Sequence, residues 1–188
     1  MKSSTEGKPV AAREHSQMRI WARSLGSWVA LGICAVLIAT AVACVSVNIG
    51  PKGAEKSKGV EVDAPEKPFE AMDSNADGAW QNRTNGNSIS YLSTCNDPAD
   101  PALENVTREL FSGITELRTI QSKETTFNGR EALDSEVIGR VDGVLTRVRA
   151  VVFKKNTCLY TISYIGVPKA FEEDRPRFDA FLRNFRAP

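Results

Sequence analysis

Histidine occurs once in the 188 residues, at His15, and none follows it. Everything beyond that point is closed to Ser-His-Asp and Cys-His catalysis, to imidazole proton transfer and to any zinc site with a histidine ligand. The sequence also has no G-x-S-x-G elbow, no P-loop and no G-x-G-x-x-G stretch. Neither sign of charge dominates. With 24 Lys and Arg against 23 Asp and Glu, the formal net charge is +1, too weak a field to imply a nucleic-acid partner. Cysteine is sparse, four in all and none in a C-x-x-C pair. No cofactor and no metal is implied.

Charge is missing altogether between Arg23 and Lys52, and within that gap Trp28 to Val47 reads WVALGICAVLIATAVACVSV. A helix of about 20 residues spans a hydrocarbon core of roughly 30 Å, and this one is apolar on every side. It is expected to be directed to a membrane. Ala41, Val42 and Ala43 before Cys44 resemble the end of a bacterial lipoprotein signal, which would be cut before Cys44 and leave that cysteine lipidated. The pattern departs from the usual one at Ala41, where Leu is common, and the segment before the apolar core is long. The alternative is an uncleaved anchor in which Cys44 packs as a small apolar residue. Cys34 is a poorer candidate because bulky Ile33 precedes it.

This stretch divides the chain. Residues 1–27 form a basic polar segment, 28–47 the transmembrane helix or signal, 48–68 a flexible linker, and 69–188 an extracytoplasmic domain large enough for one core. Arg19 and Arg23 are nearly mirrored by Lys52 and Lys56, so charge fixes orientation only through Lys2 and Lys8. Long downstream domains translocate largely regardless of charge. The N-terminus is therefore expected in the cytoplasm and the domain outside it. The linker carries Gly50, Pro51, Gly53, Gly59, Pro65 and Pro68, with only Val60 and Val62 as sizeable apolar residues near its middle. As free coil its reach would be about 25 Å.

Asp73 to Gly78, DSNADG, matches the opening of an EF-hand loop. The twelfth position holds Thr84 in place of the bidentate Glu, so an Asx-rich turn is expected.

From Trp80 the pattern is α+β. Short strands Trp80–Arg83 and Ser88–Ser93 flank Asn85-Gly86. A helix follows, with Asp97 or Asp100 as N-cap, Pro98 or Pro101 at its first position, and Leu103, Val106, Leu110 and Ile114 on one face. Strands are expected at Glu116–Phe127, Ala132–Val141, Val144–Lys154 and Cys158–Ile165, with Asn128-Gly129 and Asp142-Gly143 as turns. A closing helix from Asp174 puts Phe178, Phe181, Leu182 and Phe185 on one stripe against the sheet. Alternation on Val144–Lys154 sets Arg147 and Arg149 opposite the apolar set, where a solvated sheet face is expected. Cys95 and Cys158 are the only thiols of an exported domain, and an oxidising compartment favours a disulfide between them.

This order, with SISYLSTC, GREAL at 129–133, KNTCLYTISYIG and FDAFLRNF, resembles the Mog1/PsbP-like α/β/α sandwich of small bacterial envelope lipoproteins. The resemblance implies an antiparallel meander with helices packed on it, and it supplies no shared catalytic residues. Two functions remain. One is a membrane-tethered accessory or binding protein without catalysis, whose partners are the membrane and an envelope protein. The other is an envelope enzyme working through Ser, Lys or carboxylates, drawing on Arg130, Glu131, Asp134, Glu136, Arg147 or Arg149. A deep pocket with converging polar groups would favour the enzyme.

Overall fold

The computed structural model describes residues 55–188. The basic segment, the apolar stretch, Cys34 and Cys44 lie outside the described residues, as does the start of the linker. Among the described residues no helix is long and apolar enough to cross a membrane.

Seven strands form one sheet: β1 (Phe69–Ala71), β2 (Gly78–Asn82), β3 (Ser88–Cys95), β4 (Thr115–Phe127), β5 (Arg130–Val141), β6 (Val144–Lys155) and β7 (Cys158–Gly166). Helix α1 (Leu103–Leu110) lies between β3 and β4, and α2 (Pro168–Asn184) follows β7. The spatial order is β1-β2-β3-β7-β6-β5-β4, antiparallel throughout.

The meander follows from its turns. Asn128-Gly129 and Asp142-Gly143 have φ of +50° and +75°, and +49° and +80°, the left-handed pair that a two-residue hairpin turn needs to match strand twist. Asn156-Thr157 makes the third such turn, at +52° and +65°. Each turn fixes the register of the strands it joins: Phe127 faces Arg130, Val141 faces Val144, and Lys155 faces Cys158.

Alternation then gives each face its cover. One face packs Val137, Val148 and Ala150 under Phe111, with Leu110 and Ile114 of the α1 region beside them. The other packs Ile89, Val151, Phe153, Tyr160, Ile162 and Tyr164 under Phe171, Phe178, Phe181 and Phe185. The Phe stripe is thus the seam between α2 and the sheet, as its spacing indicates.

The helix starts differ from expectation. Helix α1 opens only after Pro101, with Ala102 as N-cap and no side-chain cap. Asp97 instead accepts from the Ala99 N–H (2.9 Å), and Asp100 is drawn to Lys154 (2.5 Å), so neither carboxylate is free to cap. Helix α2 begins at Pro168, six residues before Asp174, with Pro at its first turn and Pro176 accommodated inside. Asp174 is buried in mid-helix.

The segment read as a free linker is held to the domain from residue 55. The Cys95 N–H donates to the Glu55 carbonyl (2.8 Å), and Glu61 and Arg186 exchange backbone hydrogen bonds of 3.0 and 2.8 Å. Ser57 donates its N–H to Ser93 Oγ (2.9 Å) and shares a 2.7 Å hydroxyl bond with Tyr160. Val60 and Val62 pack on the α2-side core. Those two valines were visible in the sequence; their anchoring role depends on distant sheet residues and was not.

Cys95 and Cys158 form a disulfide across β3 and β7, with Cα atoms 3.9 Å apart. They sit directly opposite each other in the ladder. The Cys95 N–H turns away to Glu55, while Asn96 N–H bonds the Thr157 carbonyl. That makes them a non-hydrogen-bonded pair, the kind that brings antiparallel Cα atoms closest.

Candidate functional site

Four arrangements gather polar chemistry, and they differ in whether anything is left over to act on a ligand.

The first lies beneath α2 and corrects the sequence reading. Arg147 and Arg149 are not on a solvated face: their side chains are 18% and 14% exposed and are roofed by the helix. Arg149 holds Asp134 through two hydrogen bonds (2.9 and 2.8 Å) and Asp179 of α2 (2.7 Å). Arg147 pairs with Glu136 and with Glu172 of α2, and Arg175 returns from the helix to both carboxylates. The guanidinium groups of Arg147 and Arg175 also lie over the Phe171 ring at 5.1 and 5.0 Å, and that of Arg149 over Phe178 at 5.5 Å. Burial works to raise the Glu136 pKa, but Arg175 and Arg147 outweigh it and hold the carboxyl below its ordinary value. Arg149 is held the more firmly protonated by its hydrogen bonds to Asp134. Every member is paired with another. The cluster fastens the helix to the sheet and has no unspent group to offer a substrate.

The second is Asp174, whose Oδ2 accepts from the side-chain amides of Asn82 (2.9 Å), Asn85 (2.9 Å) and Asn87 (2.8 Å). Arg177 bonds Oδ1 at 2.9 Å. Asn87 also donates to the Ala170 carbonyl and to Tyr164, whose hydroxyl donates to the Phe171 carbonyl. Gly166 is required beside it, because a Cβ there would run into the Asn87 amide. Burial pushes the Asp174 pKa up, yet the three amides and Arg177 more than offset it, so the net shift is downward. A depressed carboxylate stabilises the fold above its unfolded pKa of about 3.9, and that contribution is lost as pH falls through the folded value. Asp174→Asn should therefore cost about 2–3 kcal/mol at pH 7, the scale of hydrogen bonds to a charged group. The gap from the parent should narrow in denaturant titrations taken below pH 4. A gap constant with pH would mean that Asp174 is not charged in the folded protein.

The third is the nearest approach to serine–lysine chemistry. Ser93, which is buried, donates its hydroxyl to Asp77 Oδ2 (2.5 Å), and Lys56 lies 2.9 Å from the other Asp77 oxygen. Asp77 also accepts from the Ser93 N–H at 2.7 Å. Here the last acid of DSNADG spends itself on β3, tying the β1–β2 connection and residues 56–57 to the sheet. Among the described residues, no set of three or more His, Cys, Asp or Glu is placed to hold a metal.

The fourth comprises two open clefts. One, of about 870 Å³, lies between α1 and β4–β5, with Phe111, Ile114, Leu117, Leu133 and Val137 as its apolar lining and the hydrogen-bonded pair Ser122–Ser135 (2.8 Å) within it. The other, of about 570 Å³, lies at the disulfide end of the sheet and is lined by Arg130, Lys154, Lys155, Asn156 and Thr157, among others. None of the carboxylates, arginines or tyrosines with displaced pKa values lines either cleft. Of the polar residues singled out in the sequence, Asp134, Glu136, Arg147 and Arg149 come together under α2, while Arg130 stands apart at the second cleft and Glu131 is exposed on β5. The roles of Glu172, Arg175, Asp179 and the three asparagines were missed, since their partners across the sheet–helix seam are 25 to 92 residues away.

No protein-family model matches the sequence, and no curated protein matches it. Solved structures do match in fold. A cyanobacterial PsbP (CyanoP) from Synechocystis sp. superposes with a TM-score of 0.53 at 12% identity, over 77% of this chain and 98% of that one. LpqN of Mycobacterium tuberculosis, described as involved in cell envelope biogenesis, gives a TM-score of 0.53 at 12% identity, over 73% of this chain and 88% of that one. The domain has a PsbP-like fold. At such identity the likeness is one of architecture, and function must be argued from the site.

Proposed function

We propose that this chain is a membrane-tethered, extracytoplasmic accessory protein that binds a partner at the cell envelope and performs no catalysis. The carrying observation is the Cys95–Cys158 disulfide between adjacent strands, which supports an oxidising compartment and hence an exported domain. The tether is the lipid on Cys44, attached when the apolar signal ahead of it is cut away. The polar clusters support the non-catalytic reading, because their charges are consumed in holding α2 and the N-terminal run to the sheet. The open cleft between α1 and β4–β5 is the candidate binding site.

The chain should sediment with membranes and be released by detergent but not by high salt. It should incorporate labelled fatty acid, and Cys44→Ala should abolish the label and leave the apolar stretch in place by intact mass. Release by salt alone would end the tether; no label in the parent protein would replace the lipoprotein with an uncleaved anchor.

A further inference from the structure

Resting on the accessory-protein reading, we propose that the partner binds as an added β-strand. An extended segment pairs with the free edge of β4 and sets alternate side chains at the mouth of the cleft between α1 and β4–β5. The sheet ends on one side in β1, 3 residues long, and on the other in β4, 13 residues long. Exposed edges of that length are normally guarded. The first half of β4 is guarded by register shifts between Thr115 and Arg118 and between Thr119 and Gln121. Gln121–Phe127 then pairs with β5 residue for residue, and Gln121–Glu124 and Thr126 are exposed.

The hairpin decides which backbone groups face outward. In a two-residue turn the closing pair, here Phe127 and Arg130, exchanges both its hydrogen bonds, and bonded pairs alternate along the ladder from there. Gln121, Lys123, Thr125 and Phe127 therefore spend their N–H and C=O groups on β5. Ser122, Glu124 and Thr126 aim theirs away from it. Among the described residues no loop or helix backbone meets those outward groups. Only another extended backbone offers donors and acceptors at that spacing.

The side chains define the strand that fits. Ser122 and Glu124 line the 870 Å³ cleft together with Leu117, Leu133 and Val137. A strand beside β4 places its same-face side chains about 5 Å from those of Ser122 and Glu124, so apolar residues there enter the cleft mouth. Lys123 and Glu124 take part in no ion pair among the described residues. An adjacent base and acid on an antiparallel strand complement them. A second copy fits poorly, because the two-fold register that pairs all of Gln121–Phe127 opposes Glu124 to itself, like charge on like. The occupant is therefore a different chain, an extended envelope-protein segment with apolar residues on either side of a Lys-Glu step.

The test follows the anisotropy of a fluorescein-labelled peptide, Thr-Val-Thr-Lys-Glu-Ile-Thr, titrated with the full chain in detergent. Its lysine falls opposite Glu124 and its glutamate opposite Lys123. Binding should saturate. Backbone N-methylation at the lysine and isoleucine, whose N–H groups face β4, should weaken it about tenfold or more. Methylation at the central threonine and the glutamate, whose N–H groups face away, should leave it unchanged. Thr126→Pro removes an outward donor and no β4–β5 bond, so it should abolish binding while circular dichroism keeps the sheet. Glu124→Lys should weaken binding about fivefold, and a peptide with glutamate in place of its lysine should restore it. Equal effects of the two methylation patterns would overturn strand addition; if Leu117→Asp then removed binding, the cleft would remain the accessory protein's site. Self-association of the chain that Thr126→Pro abolishes would give the edge to a second copy and overturn the assignment to another chain. No saturable binding would overturn this inference alone, since membrane sedimentation and fatty-acid labelling judge the tethered accessory protein separately.

Discussion

Phe181→Ala should remove about 3–5 kcal/mol of folding free energy, the cost of deleting a buried phenylalanine and leaving its cavity, from a domain whose whole stability is about 5–15. Phe181 is 2% exposed, and its ring meets Trp80 edge-on with centroids 5.4 Å apart. It lies between Phe178 and Phe185 on the stripe that seats α2, and the charged groups on either side of that stripe cannot refill the space. Urea titration followed by tryptophan fluorescence reads the loss directly, because Trp80 reports on the same contact. A loss below about 1 kcal/mol would mean that the site collapses onto its neighbours and that the stripe is not the seam.

Reduction of the Cys95–Cys158 bond should be nearly as costly. The bridge joins residues 63 apart in sequence. In the chain-entropy account, opening such a loop removes about 4 kcal/mol, within a measured range of roughly 2–5 for native disulfides. The β3–β7 ladder has eight paired positions, so reduced protein should keep its sheet and lose stability rather than shape. Circular dichroism at 20 °C should therefore change little on reduction while the thermal midpoint falls. Non-reducing peptide mapping of protein taken from cells should recover a single linked Cys95–Cys158 pair. Recovery of both as free thiols would remove the main support for export.

The sheet was legible because its turns are local. Asn128-Gly129 and Asp142-Gly143 announce hairpins by residue type, and the Phe spacing announces the face of α2. Hairpin arithmetic could have gone further. Once Asp142-Gly143 sets Val141 against Val144, Glu136 falls directly opposite Arg149, with Asp134 its diagonal neighbour, and Arg147 falls diagonal to Glu136. Acid and base thus alternate across one face, a sign of paired charge under a roof rather than of separate solvated groups. The start of α2 at Pro168 was obscured by Pro176, which reads as a break in an otherwise helical run. The order of residues 55–62 was hidden for a different reason. Its anchors on Ser93, Cys95, Tyr160 and Arg186 are long-range, and its Gly, Lys and Glu content is that of a coil. The same holds for Asp174 and its asparagines, which only the closed fold brings together.

Export of a tethered domain is the central claim, and compartment-specific reporters fused after Pro188 test it most directly. An enzyme that works only outside the cytoplasm should be active in the fusion, and a reporter that works only in the cytosol should be silent. Activity of the cytosolic reporter alone would contradict the account.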